Sequence, residues 1–122
     1  MDTDLPDLDT SALDRLQQWG GTKLLSQMVR LFLDNSPARL DQIRIGLQEG
    51  LVGDAERGAH SLKSSAANVG ATVVSRLAAE MEDLAGRGDM AGMEALRAGL
   101  EAAMERVRER LESVLEQMSE TD

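Results

Sequence analysis

The sequence predicts an all-α protein: an antiparallel up-down four-helix bundle with an additional short N-terminal helix. Three observations carry that expectation. Apolar residues recur at spacings of three and four along most of the chain, the period of a helix face rather than of a strand. Glycines interrupt the pattern where short turns are needed, at Gly20-Gly21, Gly50, Gly53, Gly70 and Gly86-Arg87-Gly88. With one Trp, one Phe and no Tyr, the core must be built from Leu, Val, Ile, Met and Ala, which suit packed helices better than sheets. A chain of 122 residues is long enough for one real core and too short to call for a second.

Taken in order, residues 1–8 carry Asp2, Asp4, Pro6 and Asp7 with little to bury and read as a flexible leader. Residues 9–118 form the bundle and 119–122 a polar tail. Asp9 or Thr10 caps a short first helix that places Leu13 and Leu16 on one face and stops at Gly20-Gly21. Thr22 caps the second, where Leu25, Met28, Val29, Phe32, Leu40, Ile43 and Leu47 keep their phase across Ser36-Pro37. That continuity favours one helix kinked near Pro37, although Asn35-Ser36-Pro37 would also suit a stop, a fresh N-cap and a first-turn proline. Asp54 is the expected N-cap of a third helix running to about Val69 and broken by Gly70. Thr72 caps a fourth, with Val74, Leu77, Ala78, Met81, Leu84 and Ala85 as its apolar stripe. Asp89 caps the fifth, whose apolar residues from Met93 to Met118 alternate by three and four in the seam of a shallow-angle bundle. Short connections make the later helices antiparallel neighbours with the first helix as a lid. An extended coiled coil is the rival architecture, disfavoured by such regular glycine turns.

Charge and composition then exclude several functions. Thirteen basic residues against 22 acidic give a net charge of −9, so a polyphosphate partner such as nucleic acid is repelled over most of the surface. No cysteine is present and only one histidine, which leaves neither disulfides nor the usual thiolate or imidazole set for a resident metal. The acidic N-terminus lacks the pattern of a signal peptide, and no apolar run reaches membrane-spanning length, so a cytoplasmic protein is expected. No glycine-rich nucleotide loop is found, and kinase activity of the chain alone is not expected.

The chemistry-bearing candidate lies on the third helix. On a helical wheel Ala55, Ala59, Leu62, Ala66 and Val69 share the core side, and His60 falls away from them toward solvent. Its neighbours along the surface are Glu56, Lys63, Ser64 and Ala67 at i−4, i+3, i+4 and i+7. An exposed imidazole is substantially unprotonated, and so nucleophilic, near neutral pH. Lys63 can offer its ammonium to a phosphoryl oxygen, and the small Ser64 and Ala67 leave room for another protein to close over the ring. Taken alone the pattern is also that of an ordinary surface histidine. Ser64, Ser65 and Asn68 equally suit local backbone hydrogen bonding, and the methionines suit core filling.

The stretch Ala59-His60-Ser61-Leu62-Lys63-Ser64-Ser65-Ala66-Ala67-Asn68-Val69-Gly70-Ala71 resembles the signature of histidine phosphotransfer (HPt) domains, in which His-x-Leu-Lys-(Gly/Ser)-Ser precedes a Gly-Ala pair at the helix end. The likeness runs over about residues 8–115, including Leu13-Asp14-Arg15-Leu16, Gly20-Gly21, Phe32-Leu33-Asp34 and Met81-Glu82. It implies a four-helix bundle in which His60 is phosphorylated, Lys63 stabilises the phosphoryl group, and Gly70 permits close packing where the third and fourth helices meet. Ser64 stands where many members have glycine. The resemblance further implies a phosphocarrier with no cofactor of its own. Its partner would be a response-regulator receiver domain or a hybrid histidine kinase, with Mg²⁺ held by the receiver. Glu56 and Ala67 are expected to meet that partner, and the chain to act as a monomer. Two other functions fit the same elements: a non-signalling helical adaptor, or the phosphotransfer module of a chemotaxis-type kinase.

Overall fold

The computed structural model describes residues 6–121. Every regular element among them is helical: α1 (Thr10–Glu49), α2 (Val52–Asn68), α3 (Thr72–Gly86) and α4 (Met90–Thr121). Each helix packs on its neighbours in sequence, and α1 closes the array against α4. The result is the four-helix bundle the periodicity predicts. Among the described residues no helix is long and apolar enough to cross a membrane.

The two predicted N-terminal helices are the two arms of α1, joined at Gly21, whose φ of 68° and ψ of −166° leave the helical region. Asp9 is the N-cap and accepts hydrogen bonds from the Ser11 backbone N–H at 3.0 Å and the Ser11 hydroxyl at 2.7 Å. Those bonds, with the Arg15 charge, hold its carboxyl below the usual value. Pro37 lies inside the continuous second arm, and the backbone around it stays helical. The helix therefore does not restart at Asn35-Ser36.

Two predicted caps are displaced. Leu51, not Asp54, precedes α2, and Asp54 sits in the first turn, where its charge favours the helix N-terminus and pairs with Arg57. Ala71, not Thr72, is the N-cap of α3, because the Thr72 hydroxyl is turned to the Pro6 carbonyl oxygen. Asp89 caps α4 as expected, its Oδ1 accepting from the Gly92 N–H at 2.8 Å.

The core is the set of stripes read from the sequence. Ala55, Ala59, Leu62, Ala66 and Val69 are buried on α2, and Val74, Ala78 and Met81 on α3. Leu100, Val107 and Leu111 of α4 meet them from the other side of the bundle. The small residues on α2 allow α1 to approach closely: a methyl group at Gly58 would stand 3.0 Å from Ile43 Cγ1 and 3.1 Å from the Arg39 carbonyl oxygen. Ser36 of α1 is buried, and its hydroxyl has no hydrogen-bond partner among the described residues.

Two segment boundaries shift. Leu8, read as part of the leader, is only 4% exposed and belongs to the core, while Asp7 pairs with Arg106 of α4 at 2.9 Å. Residues 1–5 of that leader lie outside the described residues. At the other end, α4 continues as a helix to Thr121, through most of the predicted polar tail.

Candidate functional site

α2 presents its functional face because its other face is committed to the core. Ala55, Ala59, Leu62 and Ala66 are drawn inward by apolar burial, and 100° per residue then turns His60 outward. The imidazole is 61% exposed, as the wheel predicts. Ser64 and Ala67 are exposed beside it, and Glu56 is half-buried. A shallow groove at the ring is lined by Gly53, Glu56, Arg57, His60, Ser61 and Glu82.

The structure adds one residue that was not assigned a role from sequence. Glu82 of α3 reaches across to α2 and holds two side chains at once: Oε2 lies 2.7 Å from His60 Nδ1 and Oε1 lies 2.6 Å from Lys63 Nζ. Its carboxyl is held below the usual 4.5, first by the hydrogen bond from Lys63 and then by that from His60, against an opposing contribution from burial. An ionised carboxylate only accepts, so the proton of the neutral ring resides on Nδ1 and the lone pair on Nε2. The tautomer is thus set by an element 22 residues away in sequence.

Lys63 is correspondingly less free than the sequence suggests. Its side chain is 35% exposed and tied to Glu82, which brings the ammonium to the same carboxylate as the imidazole. Its carbonyl accepts from the Ser75 hydroxyl at 3.1 Å, a second tie between α2 and α3 beside the site. Ser65 bonds back to the Leu62 carbonyl at 3.3 Å, the local role expected of it. Among the described residues, no group of three or more His, Asp or Glu is placed to hold a metal ion.

Gly70 ends α2 with a φ of 79°. The close approach there differs from the expected α2–α3 contact. The neighbour is the start of α1: Asp9 donates its N–H to the Gly70 carbonyl at 2.7 Å, and a methyl group on Gly70 would overlap the Asp9 carbonyl oxygen and stand 3.0 Å from Ala12 Cβ. The N-terminal arm is therefore latched onto the end of the histidine-bearing helix.

Glu82 could have been found by counting outward from the α2–α3 turn. In an antiparallel pair, residues about equally far from Gly70 on each side meet, and His60 and Glu82 stand ten and twelve residues from it. Three acidic residues of α3 lie near that level, Glu80, Glu82 and Asp83, and of these Glu82 alone is half-buried.

Comparison with known proteins agrees with this arrangement. The model of the Hpt domain family matches residues 27–118. The fold is similar to that of histidine-containing phosphotransfer protein B (HptB) from Pseudomonas aeruginosa PAO1, with 27% identity and a TM-score of 0.87 over 92% of this chain and 96% of that one. Two further structures share the fold at 21% identity. One is the histidine-containing phosphotransfer protein ZmHP2 from maize, with a TM-score of 0.84 over 100% of this chain and 91% of that one. The other is the HPT domain of a sensor hybrid histidine kinase from Shewanella, with a TM-score of 0.80 over 93% and 97%. No curated protein sequence matches the chain. With a family match over most of its length and the bundle fold shared with histidine-containing phosphotransfer proteins, the chain belongs to the Hpt domain family, whose function is histidine phosphotransfer in two-component phosphorelays.

Proposed function

We propose that His60 is the phosphoryl-accepting residue and that the chain relays the group, in the cytoplasm, to or from the aspartate of a receiver domain. The observation that carries this is the pairing of an outward imidazole with Glu82 at Nδ1, which leaves Nε2 as the nucleophilic nitrogen. In the forward step the Nε2 lone pair forms the N–P bond while the bond from phosphorus to the partner's carboxylate oxygen breaks, the carboxylate leaving with the electron pair. Nδ1 keeps its proton, shared with Glu82, so the ring becomes an N-phosphoryl imidazolium facing an ionised carboxylate. In the reverse step the N–P electrons return to Nε2 and a neutral imidazole leaves. No proton has to be found or lost in either direction.

To Lys63, one turn along α2 and drawn to the same carboxylate, we assign the role of meeting the phosphoryl oxygens and balancing their charge. Little else is required of the acceptor, because phosphoryl transfer rests on positioning and electrostatics rather than covalent help. We assign the chain a phosphocarrier role, with ATP chemistry left to a kinase and Mg²⁺ to the receiver domain.

The test is labelling by a cognate hybrid kinase and ATP. A label that is acid-labile, base-stable and absent from His60→Gln is expected; a label that survives in that variant removes His60 from the relay.

A further inference from the structure

The groove at the imidazole opens on the N-terminal side of the ring. Apart from Glu82, its lining comes from the turns of α2 before the histidine, Gly53, Glu56 and Arg57, and from Ser61 directly after it, while Ser64 and Ala67 of the following turns lie outside. The direction follows from helix geometry. Cα–Cβ bonds tilt toward the N-terminus of a helix, so a side chain covers the turn that precedes it. An outward imidazole on α2 therefore overhangs the turn that carries Glu56 and Arg57.

The cation in that lining is Arg57. It stands three residues before His60 as Lys63 stands three after, so at about 100° per residue the two lie about 60° to either side of the imidazole. Their partners differ. Lys63 is tied to Glu82, the carboxylate that also takes the Nδ1 proton. Arg57 pairs within its own turn, with Asp54, and the two side chains are 69% and 41% exposed. Its Nη1 lies over Gly53, 3.6 Å from where a methyl group on that residue would stand. An ion pair so exposed holds its members weakly. A phosphoryl group brings about two negative charges and three acceptor oxygens, which a guanidinium can meet with two parallel N–H donors. In this groove the group also faces Glu56, whose charge opposes it and which Lys63, shared with Glu82, does not offset.

We propose that Arg57 is a second phosphoryl-binding residue: when His60 carries the group, the guanidinium leaves Asp54 and donates to the phosphoryl oxygens, so that Asp54 and the phosphoryl group compete for one cation. The proposal rests on His60 being the acceptor. Arg57 thereby favours the phosphorylated over the free imidazole, and Asp54 tunes that preference by holding the guanidinium back. Only hydrogen bonds are exchanged, the Asp54 carboxylate passing to water. Residues three apart on a helix have Cβ atoms about 5–6 Å apart, a gap an arginine side chain spans.

The test reads the phosphoryl group itself. Each protein is phosphorylated with potassium phosphoramidate, or by kinase and ATP, and the phosphorus NMR resonance of the single histidine is followed from weakly acidic to alkaline pH. Donation to the oxygens favours the fully ionised group, whose second pKa is ordinarily about 6. Arg57→Ala should therefore raise that pKa by about half a unit, a threefold gain in proton affinity. Asp54→Asn should lower it, and this effect should vanish when Arg57 is already alanine, as a double-mutant cycle requires of a competitor. Both side chains are at the surface, so neither substitution should unfold the chain. An unchanged pKa in Arg57→Ala overturns the proposal. So does an Asp54→Asn effect of equal size with and without Arg57, because Asp54 then acts by its own charge alone. Wild type that takes no phosphoryl at His60 from either donor defeats the functional assignment and this proposal with it, whereas a phosphorylated His60 whose titration ignores Arg57 defeats this proposal alone.

Discussion

Gly70→Ala separates two causes of strain at the end of the histidine helix, provided it is measured against Gly88→Ala. Both glycines have positive φ, 79° and 72°. Nothing lies within 4 Å of a methyl group added at Gly88, so its substitution reports backbone strain alone, about 1–2 kcal/mol. At Gly70 the methyl also displaces the first turn of α1 from Asp9 and Ala12. That breaks the Asp9-to-Gly70 hydrogen bond, about 1 kcal/mol, and loosens the burial of Leu8, whose full exposure would cost about 2 kcal/mol. The expected loss is thus about 3–5 kcal/mol for Gly70→Ala, two to three times that for Gly88→Ala. Urea unfolding followed by circular dichroism measures both. Equal destabilisation by the two substitutions would show that the Asp9 latch contributes nothing. Because His60 lies ten residues up the helix, the folded fraction of Gly70→Ala should still accept label.

Other expectations follow from the Glu82 cluster and the core. Lys63→Ala should slow phosphoryl transfer about tenfold or more while costing under about 1 kcal/mol of stability, since its ion pair is only partly buried; stopped-flow transfer and a melting curve check the two halves. Glu82→Gln retains an oxygen that can accept from Nδ1, whereas Glu82→Leu does not, so nitrogen NMR of His60 should show the Nδ1–H tautomer kept in the first and mixed in the second. Glu82 has a lowered folded pKa, so its contribution to stability is complete above the unfolded value of 4.5 and is lost as pH falls through the lowered one. Unfolding measured between pH 3 and 6 should show a shallower acid decline in Glu82→Gln than in wild type. Ser36→Ala removes a buried hydroxyl that has no partner among the described residues and should be neutral or stabilising by about 1 kcal/mol; a clear loss would mean the hydroxyl is satisfied in solution.

Local and periodic features were legible in the sequence. Helix stripes follow from a 3.6-residue repeat, so the cores of α2 and α3, and with them the outward direction of His60, could be placed without coordinates. Asp9 and Asp89 cap their helices because the cap interaction spans only two or three residues. The same short range explains the misplaced caps. Thr72 and Asp54 have good capping side chains, yet Thr72 is engaged by Pro6, 66 residues away, and α2 begins early behind Leu51. Propensity at one position yields to a distant partner.

The sequence by itself determined that the chain forms a helical bundle behind a short N-terminal helix, which face of each main helix is buried and that the single histidine stands outside. Each of these depends on neighbours within a turn or two. Only the tertiary structure decided which nitrogen of His60 carries the lone pair, what holds Lys63 and why Gly70 cannot bear a side chain. Those answers come from Glu82 on α3 and Asp9 and Ala12 on α1, groups that chain connectivity keeps apart and that the packing of alanine-rich helices brings within 3 Å. Periodicity fixes directions around one helix axis; the register of one helix against the next is set by how their side chains interlock, which one-dimensional order does not encode.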